Sequence, residues 1–444
     1  MQIMRNPLLV LLLCFSINIY AKPELSKTFP VSYRERVERT LKSAGENRGE
    51  LVRFLNEIPS AMLEGAAFLV AYMPAVDAQT LKANFLLRNT LLAYGTRARY
   101  PWGKTIPDSV FFNDVLPYAV VDEQREEWRL FLTFRIEPLV RETKSLQEAA
   151  FAVGEGAKKT LNVRYSTSRP KTNQSPSETM MAGVATCTGL SITMVAALRS
   201  VGIPARMAGT FRWLEGKNGG NHNWVECWID GKWYCCELAP FVGFDKGWFF
   251  KKIKPESKEF IANHIFASSF RETGNRYPLV WDGFFHSDPV WQAGLKRADA
   301  SVATDIPELD KKGMRVRFLD STMVPSLEQP LISVNGVDVT EHYVALIEKK
   351  YFLERQENAG KMGLSCVVVE KEVISKEAAN RIPCHIKILD GDGQLVGEGK
   401  TLTNEHDIND HLTFYLPKGE YTIQYNGKTK LVVLNTSELI QMVY

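Results

Sequence analysis

From about Leu25 to Leu146, apolar residues recur every three or four positions in segments such as YRERVERTLKSA, GELVRFLNEIP and SAMLEGAAFLVAYMP. That spacing predicts a run of amphipathic helices. Gly45, Gly49, Pro59 and Pro74 mark the expected breaks, and Ser60 reads as the N-cap of the third helix with Glu64 near its positive end. The aromatics that follow, Trp102, Phe111, Phe112, Tyr118 and Trp128, read as packing of this region onto the next domain, with a substrate groove as the alternative. One more helix, QEAAFAVGEGAKKTL, leads into the loop YSTSRPKTNQSPSET, where Ser175 or Ser177 can cap the next helical turn.

Beyond Ala205 the pattern changes to strand: ARMAGTFRWL, NWVECWID and KWYCCEL, the last two joined by Asp230-Gly231, a two-residue hairpin signal. From about Ala303, runs such as MRVRFLD, LSCVVVE, CHIKILDGDGQLVGEG and HLTFYLPKGEYTIQYNGKTKLVVLN alternate apolar and polar residues between Gly, Asn and Asp, as antiparallel strands do. A helical insert, EHYVALIEKKYFLERQ, interrupts them. The fold class expected is α+β: a helical region over 22–147, a mixed core over 148–302, a β-rich connector over 303–380 and a β-sandwich over 381–444.

The first residues, MQIMRNPLLVLLLCFSINIYAKPE, place Arg5 before a mostly apolar run and Ala21 before a polar stretch, which reads as a secretory signal peptide over 1–21. The run is short for a membrane span, and Leu13 stands before Cys14 where lipidation of a leader requires a small residue. The expectation is a secreted or periplasmic protein without a transmembrane segment. With Arg5 removed, 53 basic residues face 51 acidic ones, a balance of +2 that implies no nucleic acid or other polyanion partner. Six cysteines remain after cleavage, too few in a chain this long for a disulfide scaffold.

Two of the motifs carry chemistry. The run from Thr188 to Ser200 has an apolar stripe and ends before Gly202, so Cys187 stands at a helix N-terminus, where free backbone N–H groups and the macrodipole favour a thiolate. Its own N–H is a candidate oxyanion donor. With Asp230 and Gly231 as the turn, Ile229 faces Lys232, Trp224 faces Glu237 and His222 faces Ala239, which puts His222 and Glu237 on one face within side-chain reach. A carboxylate so placed orients an imidazole and stabilises its charged form. The plain alternatives are a buried cysteine and a structural histidine.

TCTGLSITMVAALRSVGIPARMAGT followed by HNWVECWIDGKWYCCELAP resembles the transglutaminase-like superfamily over roughly 149–281: a cysteine opening a helix, a GIPAR helix exit, a His-x-Trp-x-Glu strand, an Asp-Gly turn and an acid on the returning strand. The resemblance implies a papain/transglutaminase-like α+β core with Cys187 as nucleophile, His222 as base and acid, and Glu237 as the orienting carboxylate. Members more often have Asp-Pro at the third place; here it is Glu237-Leu238-Ala239-Pro240, with Asp245 in reserve. The resemblance also implies a side-chain oxyanion donor upstream, for which Gln174 is the candidate.

Such a set attacks a carboxamide to form a thioester, resolved by water in a protease or amidase and by an amine in a transglutaminase. Protein, peptide or peptidoglycan-type amides are the substrates implied, with hydrolysis ranked first and no cofactor. Zinc is the rival for Cys227, Cys235, Cys236 and His222, but paired CxxC knuckles are missing and Cys235 falls on the face opposite Cys227 and Cys236. The competing function is a non-catalytic binding protein for cell-wall or glycan ligands, with Trp213, Trp224, Trp228, Trp233 and Trp248 as a platform.

Overall fold

The computed structural model describes residues 25–26, 29–213, 220–298, 332–372, 383–401 and 412–443. The expected leader over 1–21 and the expected strand MRVRFLD (314–320) lie outside the described residues. The chain divides into two compact units, 1–88 and 89–444.

The first unit holds α1 (Val31–Ser43), α2 (Arg48–Glu57), α3 (Leu63–Tyr72) and α4 (Ala75–Thr80), and the division falls inside α5 (Ala83–Arg99). Tyr33, Val37 and Leu41 form the buried stripe of α1, at the spacing of one helix face, with Tyr33 edge-on to Phe68 of α3. Gly45 separates α1 from α2 with φ +57°, a conformation that glycine adopts without steric cost. Two local expectations are corrected. Gly49 lies inside α2 as its second residue, where the backbone N–H has no intrahelical partner to lose. Ser60 opens a 3-10 turn (Ser60–Met62) and makes no cap bond, so α3 begins at Leu63.

The second unit continues through α6 (Asp108–Asp114), α7 (Trp128–Val140), α8 (Leu146–Leu161), β1 (Arg164–Tyr165), α9 (Pro176–Ala182), β2 (Val184–Ala185) and α10 (Cys187–Ser200). Ser175, not Ser177, caps α9: its side chain accepts from the Glu178 N–H and the Glu178 carboxylate accepts from the Ser175 N–H. Every residue of α10 from Thr188 to Ser200 is buried, as expected of a helix apolar around most of its circumference. Trp102, Phe111, Phe112, Tyr118 and Trp128 are all buried, and none lines the cleft described below. They pack; Trp102 Nε1, for instance, donates to the Val201 carbonyl just beyond α10 (3.2 Å).

Between α6 and α7, residues 115–123 are non-helical yet buried. Buried backbone polar groups require partners, and long side chains supply them. Arg129 Nη2 donates to the carbonyls of Val115, Leu116 and Pro117, Trp128 Nε1 to that of Tyr118, Arg199 Nη1 to that of Ala119, and Arg125 Nη1 to those of Val121 and Glu123. The Glu123 carboxylate accepts from the N–H groups of Val120 and Val121. Arg129 Nη1 also reaches the Arg199 carbonyl, which ties this strap to the end of α10.

Strands β3 (Ala205–Thr210), β4 (His222–Ile229), β5 (Lys232–Cys236) and β6 (Ile265–Ser269) form an antiparallel sheet, with β3 and β4 beside α10. After α11 (Gly283–Ser287) and α12 (Pro289–Ala298), β7 (Asn335–Asp338) completes the order β5-β4-β3-β6-β7. The helical insert is α13 (Thr340–Lys361); its Tyr343, Val344 and Ile347 pack with Trp224, Phe249 and Ile265. Thus part of the segment between 303 and 380 lies on the core sheet.

The remaining strands are β8 (Ser365–Glu372), β9 (His385–Leu389), β10 (Leu395–Lys400), β11 (Leu412–Leu416), β12 (Gly419–Tyr425), β13 (Lys428–Leu434) and β14 (Glu438–Val443). They make a four-stranded sheet, β10-β9-β12-β13, and a three-stranded one, β11-β8-β14, in which β14 runs parallel to β8. Val367 and Val369 of the second sheet share a core with Ile386, Ile388, Ile423 and Val432 of the first, which makes the pair a sandwich. Asn426 and Gly427, both at positive φ, turn β12 into β13.

Candidate active site

Cys187 is the first residue of α10 and is partly exposed, whereas the rest of the helix is buried. Thr186 precedes it at the N-cap without making a cap bond, and its hydroxyl accepts from Arg169 Nε (2.7 Å). The helix start is fixed from upstream: Gly183 ends α9 at φ +65°, and β2 then pairs with β1 through Arg164–Val184 and Tyr165–Ala185.

The hairpin has Ile229 opposite Lys232, Trp228 opposite Trp233 and Val225 opposite Cys236, the register of a two-residue turn. One step past β5, Glu237 Oε1 lies 2.9 Å from His222 Nε2, and both side chains are nearly buried. That contact leaves Nδ1 as the ring nitrogen for Cys187. Trp224, Trp248 and Phe249 surround the imidazole, with centroids 5.7, 4.8 and 5.2 Å from it.

The electrostatics of the pair are mutual. Burial pushes the Cys187 thiol up, but hydrogen bonding and charge from His222, the Asn223 backbone N–H and the Thr188 hydroxyl outweigh it, and the pKa is lowered. Burial likewise disfavours charge on His222, yet hydrogen bonds and charges from Cys187 and Glu237 raise it to about 9. The charged forms of Cys187 and His222 therefore stabilise each other.

The cleft around them has a volume of about 580 Å³ and is lined by Cys187, His222 and Glu237 together with Tyr165, Arg169, Leu238, Trp248 and Val280 among others. Two sequence candidates lie elsewhere. Gln174 is fully buried, and its Nε2 donates to the Val184 and Glu178 carbonyls (3.0 and 3.4 Å), so it braces the loop before α9 and does not line the cleft. Asp245 accepts from the Cys235 N–H through Oδ1 (3.0 Å) and does not line the cleft either, which leaves Glu237 as the carboxylate on His222.

Sequence reasoning did not single out Asn223, Thr188 or Tyr277. Asn223 Nδ2 donates to Thr188 Oγ1 (2.9 Å), and Tyr277 Oη donates to Asn223 Oδ1 (2.6 Å). The available signal was the alternation of β4, which turns Asn223 to the face opposite His222.

Among the described residues no group of three or more His, Cys, Asp or Glu is placed to hold a metal ion. Cys227, Cys235 and Cys236 are buried free thiols. Of the five tryptophans a ligand platform would use, Trp213, Trp224 and Trp228 are buried, Trp233 lies under the Arg206 guanidinium at 3.9 Å, and Trp248 is 48% exposed. No helix among the described residues is long and apolar enough to cross a membrane.

Residues 136–238, which span Cys187, His222 and Glu237, match the model of the transglutaminase-like superfamily. No curated protein matches the chain. The solved structures similar to it include a provisionally named cysteine protease from Cytophaga hutchinsonii (18% identity, TM-score 0.22, covering 26% of this chain and 38% of that one). Others are the TIE protein of Bacillus anthracis (19% identity, TM-score 0.15, 18% of this chain and 16% of that one) and red sea bream transglutaminase (12% identity, TM-score 0.27, 76% of this chain and 66% of that one). The chain spans less than two thirds of the length of each, and likenesses of this degree carry no argument about chemistry.

Proposed function

We propose that this protein is a thiol-dependent hydrolase or acyltransferase that cleaves carboxamide or peptide bonds through Cys187, His222 and Glu237. The observation that carries the reading is the contact of His222 with Glu237 in a cleft shared with Cys187 at a helix N-terminus. The thiolate attacks the carboxamide carbon, and the carbonyl electron pair moves onto oxygen, for which the Cys187 backbone N–H is the donor. Collapse of that adduct breaks the C–N bond; the leaving amine takes the His222 proton, and a thioester remains. Water or a second amine then gives a proton to His222 and attacks the thioester carbon, which releases the thiolate. Glu237 holds the ring and its charge throughout.

Hydrolysis ranks ahead of transamidation, on the resemblance to secreted bacterial members of the superfamily. The substrates proposed are protein, peptide or peptidoglycan-type amides, and the location is secreted or periplasmic, on the strength of the leader sequence. Incubation of the full chain with a peptide library and a fluorescent amine separates the two outcomes. New amino termini, lost by about 10³-fold or more in Cys187→Ala, are expected of a hydrolase; amine incorporation without new termini identifies a transglutaminase. Turnover of neither kind contradicts the proposal.

A further inference from the structure

Asn223 lies next to His222 in β4 but on the opposite face, toward α10. Its side chain is buried between two hydroxyls of unequal freedom. Tyr277 Oη donates to its Oδ1 at 2.6 Å. The amide oxygen is thereby occupied, and Nδ2 is turned to donate to Thr188 Oγ1 at 2.9 Å. Thr188 is itself buried and follows Cys187 in α10. With its oxygen accepting, its hydroxyl hydrogen remains to be given, and the neighbouring sulfur is the anionic acceptor at hand. The direction of donation thus runs one way, from phenol to amide to hydroxyl to thiolate. The Thr188 hydroxyl and the Asn223 backbone N–H both favour the charged form of Cys187.

A second feature of the sequence makes room for this arrangement. On β3, a Cβ at Gly209 would overlap Asn223 Oδ1 and Tyr277 Oη. Glycine at that place lets the phenol and amide approach. Tyr277 is in turn fixed from outside the segment that matches the superfamily: its backbone N–H donates to the Val334 carbonyl at 2.7 Å, just before β7.

We propose that Tyr277, Asn223 and Thr188 form a directional hydrogen-bond relay ending on Cys187, with Tyr277 as a positioning residue for the reaction. The relay rests on the reading of Cys187 as nucleophile and adds a stabiliser of the thiolate independent of His222. Removing the Tyr277 hydroxyl frees the Asn223 amide oxygen, to which Thr188 can then donate in place of the sulfur. Iodoacetamide tests this directly: the thiolate forms a C–S bond to its methylene carbon and iodide leaves, so the rate at each pH reports the thiolate fraction.

The test measures the alkylation rate of Cys187 against pH, by mass of the Cys187 peptide, in the full chain. The midpoint is expected to rise by about half to one pH unit in Tyr277→Phe and in Thr188→Val, with kcat reduced about threefold to tenfold and KM little changed. Thr188→Ser should restore the midpoint. The double variant Tyr277→Phe with Thr188→Val should shift no further than Thr188→Val alone, because both changes cut one chain. Midpoints unchanged in a reactive Thr188→Val protein overturn the relay, as do single shifts that simply add in the double variant. If Tyr277→Phe fails to fold, the Thr188→Val and Thr188→Ser comparison decides alone. A wild-type Cys187 no more reactive than free cysteine overturns instead the nucleophile reading, and the relay with it.

Discussion

Cys187 and Glu237 act on His222 from its two sides and in the same direction: each stabilises the charged ring against the cost of burying it, which raises the pKa to about 9. For an ion-pair mechanism this sets the alkaline limb of activity, because the imidazolium needed to protonate the leaving group is lost as pH rises through that value. Glu237→Gln removes the carboxylate charge while keeping a hydrogen-bonding oxygen. The expected result is a downward shift of the alkaline limb and a fall in kcat of about 10²-fold, with Asp245→Asn leaving the limb in place. A pH–rate profile of the three proteins checks this, and equal limbs in wild type and Glu237→Gln contradict it. The contact itself could be read from Asp230-Gly231 in the sequence, since a two-residue turn fixes the register, whereas the burial of Gln174 could not. Its donors go to carbonyls that local spacing does not place.

The strand that carries His222 is held from behind by α13. Tyr343 Oη accepts from Trp224 Nε1 (2.6 Å) and donates to Glu226 Oε1 (2.8 Å), and Glu226 Oε2 pairs with Arg206 Nε at 2.7 Å. All four side chains are buried. Tyr343→Phe strands an indole N–H and a carboxylate oxygen away from water, and the expected cost is about 1–3 kcal/mol of stability in a denaturant titration; a loss below ~0.5 kcal/mol would show that the latch is redundant. Helices, hairpins and the sandwich strands were legible because periodicity and turn residues act over a few positions. The buried strap over 115–123 was not, since its solvation by Arg129, Arg199 and Glu123 joins residues up to 80 positions apart. The docking of β7 and α13 on the core sheet was likewise not legible, because strand order is a non-local choice among apolar edges.

Across the molecule, Cys187, His222 and Glu237 lie within the stretch 136–238 that matches the superfamily, while Tyr277 and Tyr343, which hydrogen-bond to Asn223 and Trp224 beside His222 in β4, lie beyond it. The proposed reaction needs the Cys187 thiolate and the His222 imidazolium to stabilise each other, the direction in which each shifts the other. The most direct measurement is the second-order rate of iodoacetamide alkylation at Cys187 from about pH 4 to 10, in wild type and His222→Ala. Rapid alkylation persisting below the ordinary thiol range is expected in wild type, with a midpoint returned to about 8.5 or above in His222→Ala. Identical profiles in the two proteins, both following the titration of free cysteine, would contradict it.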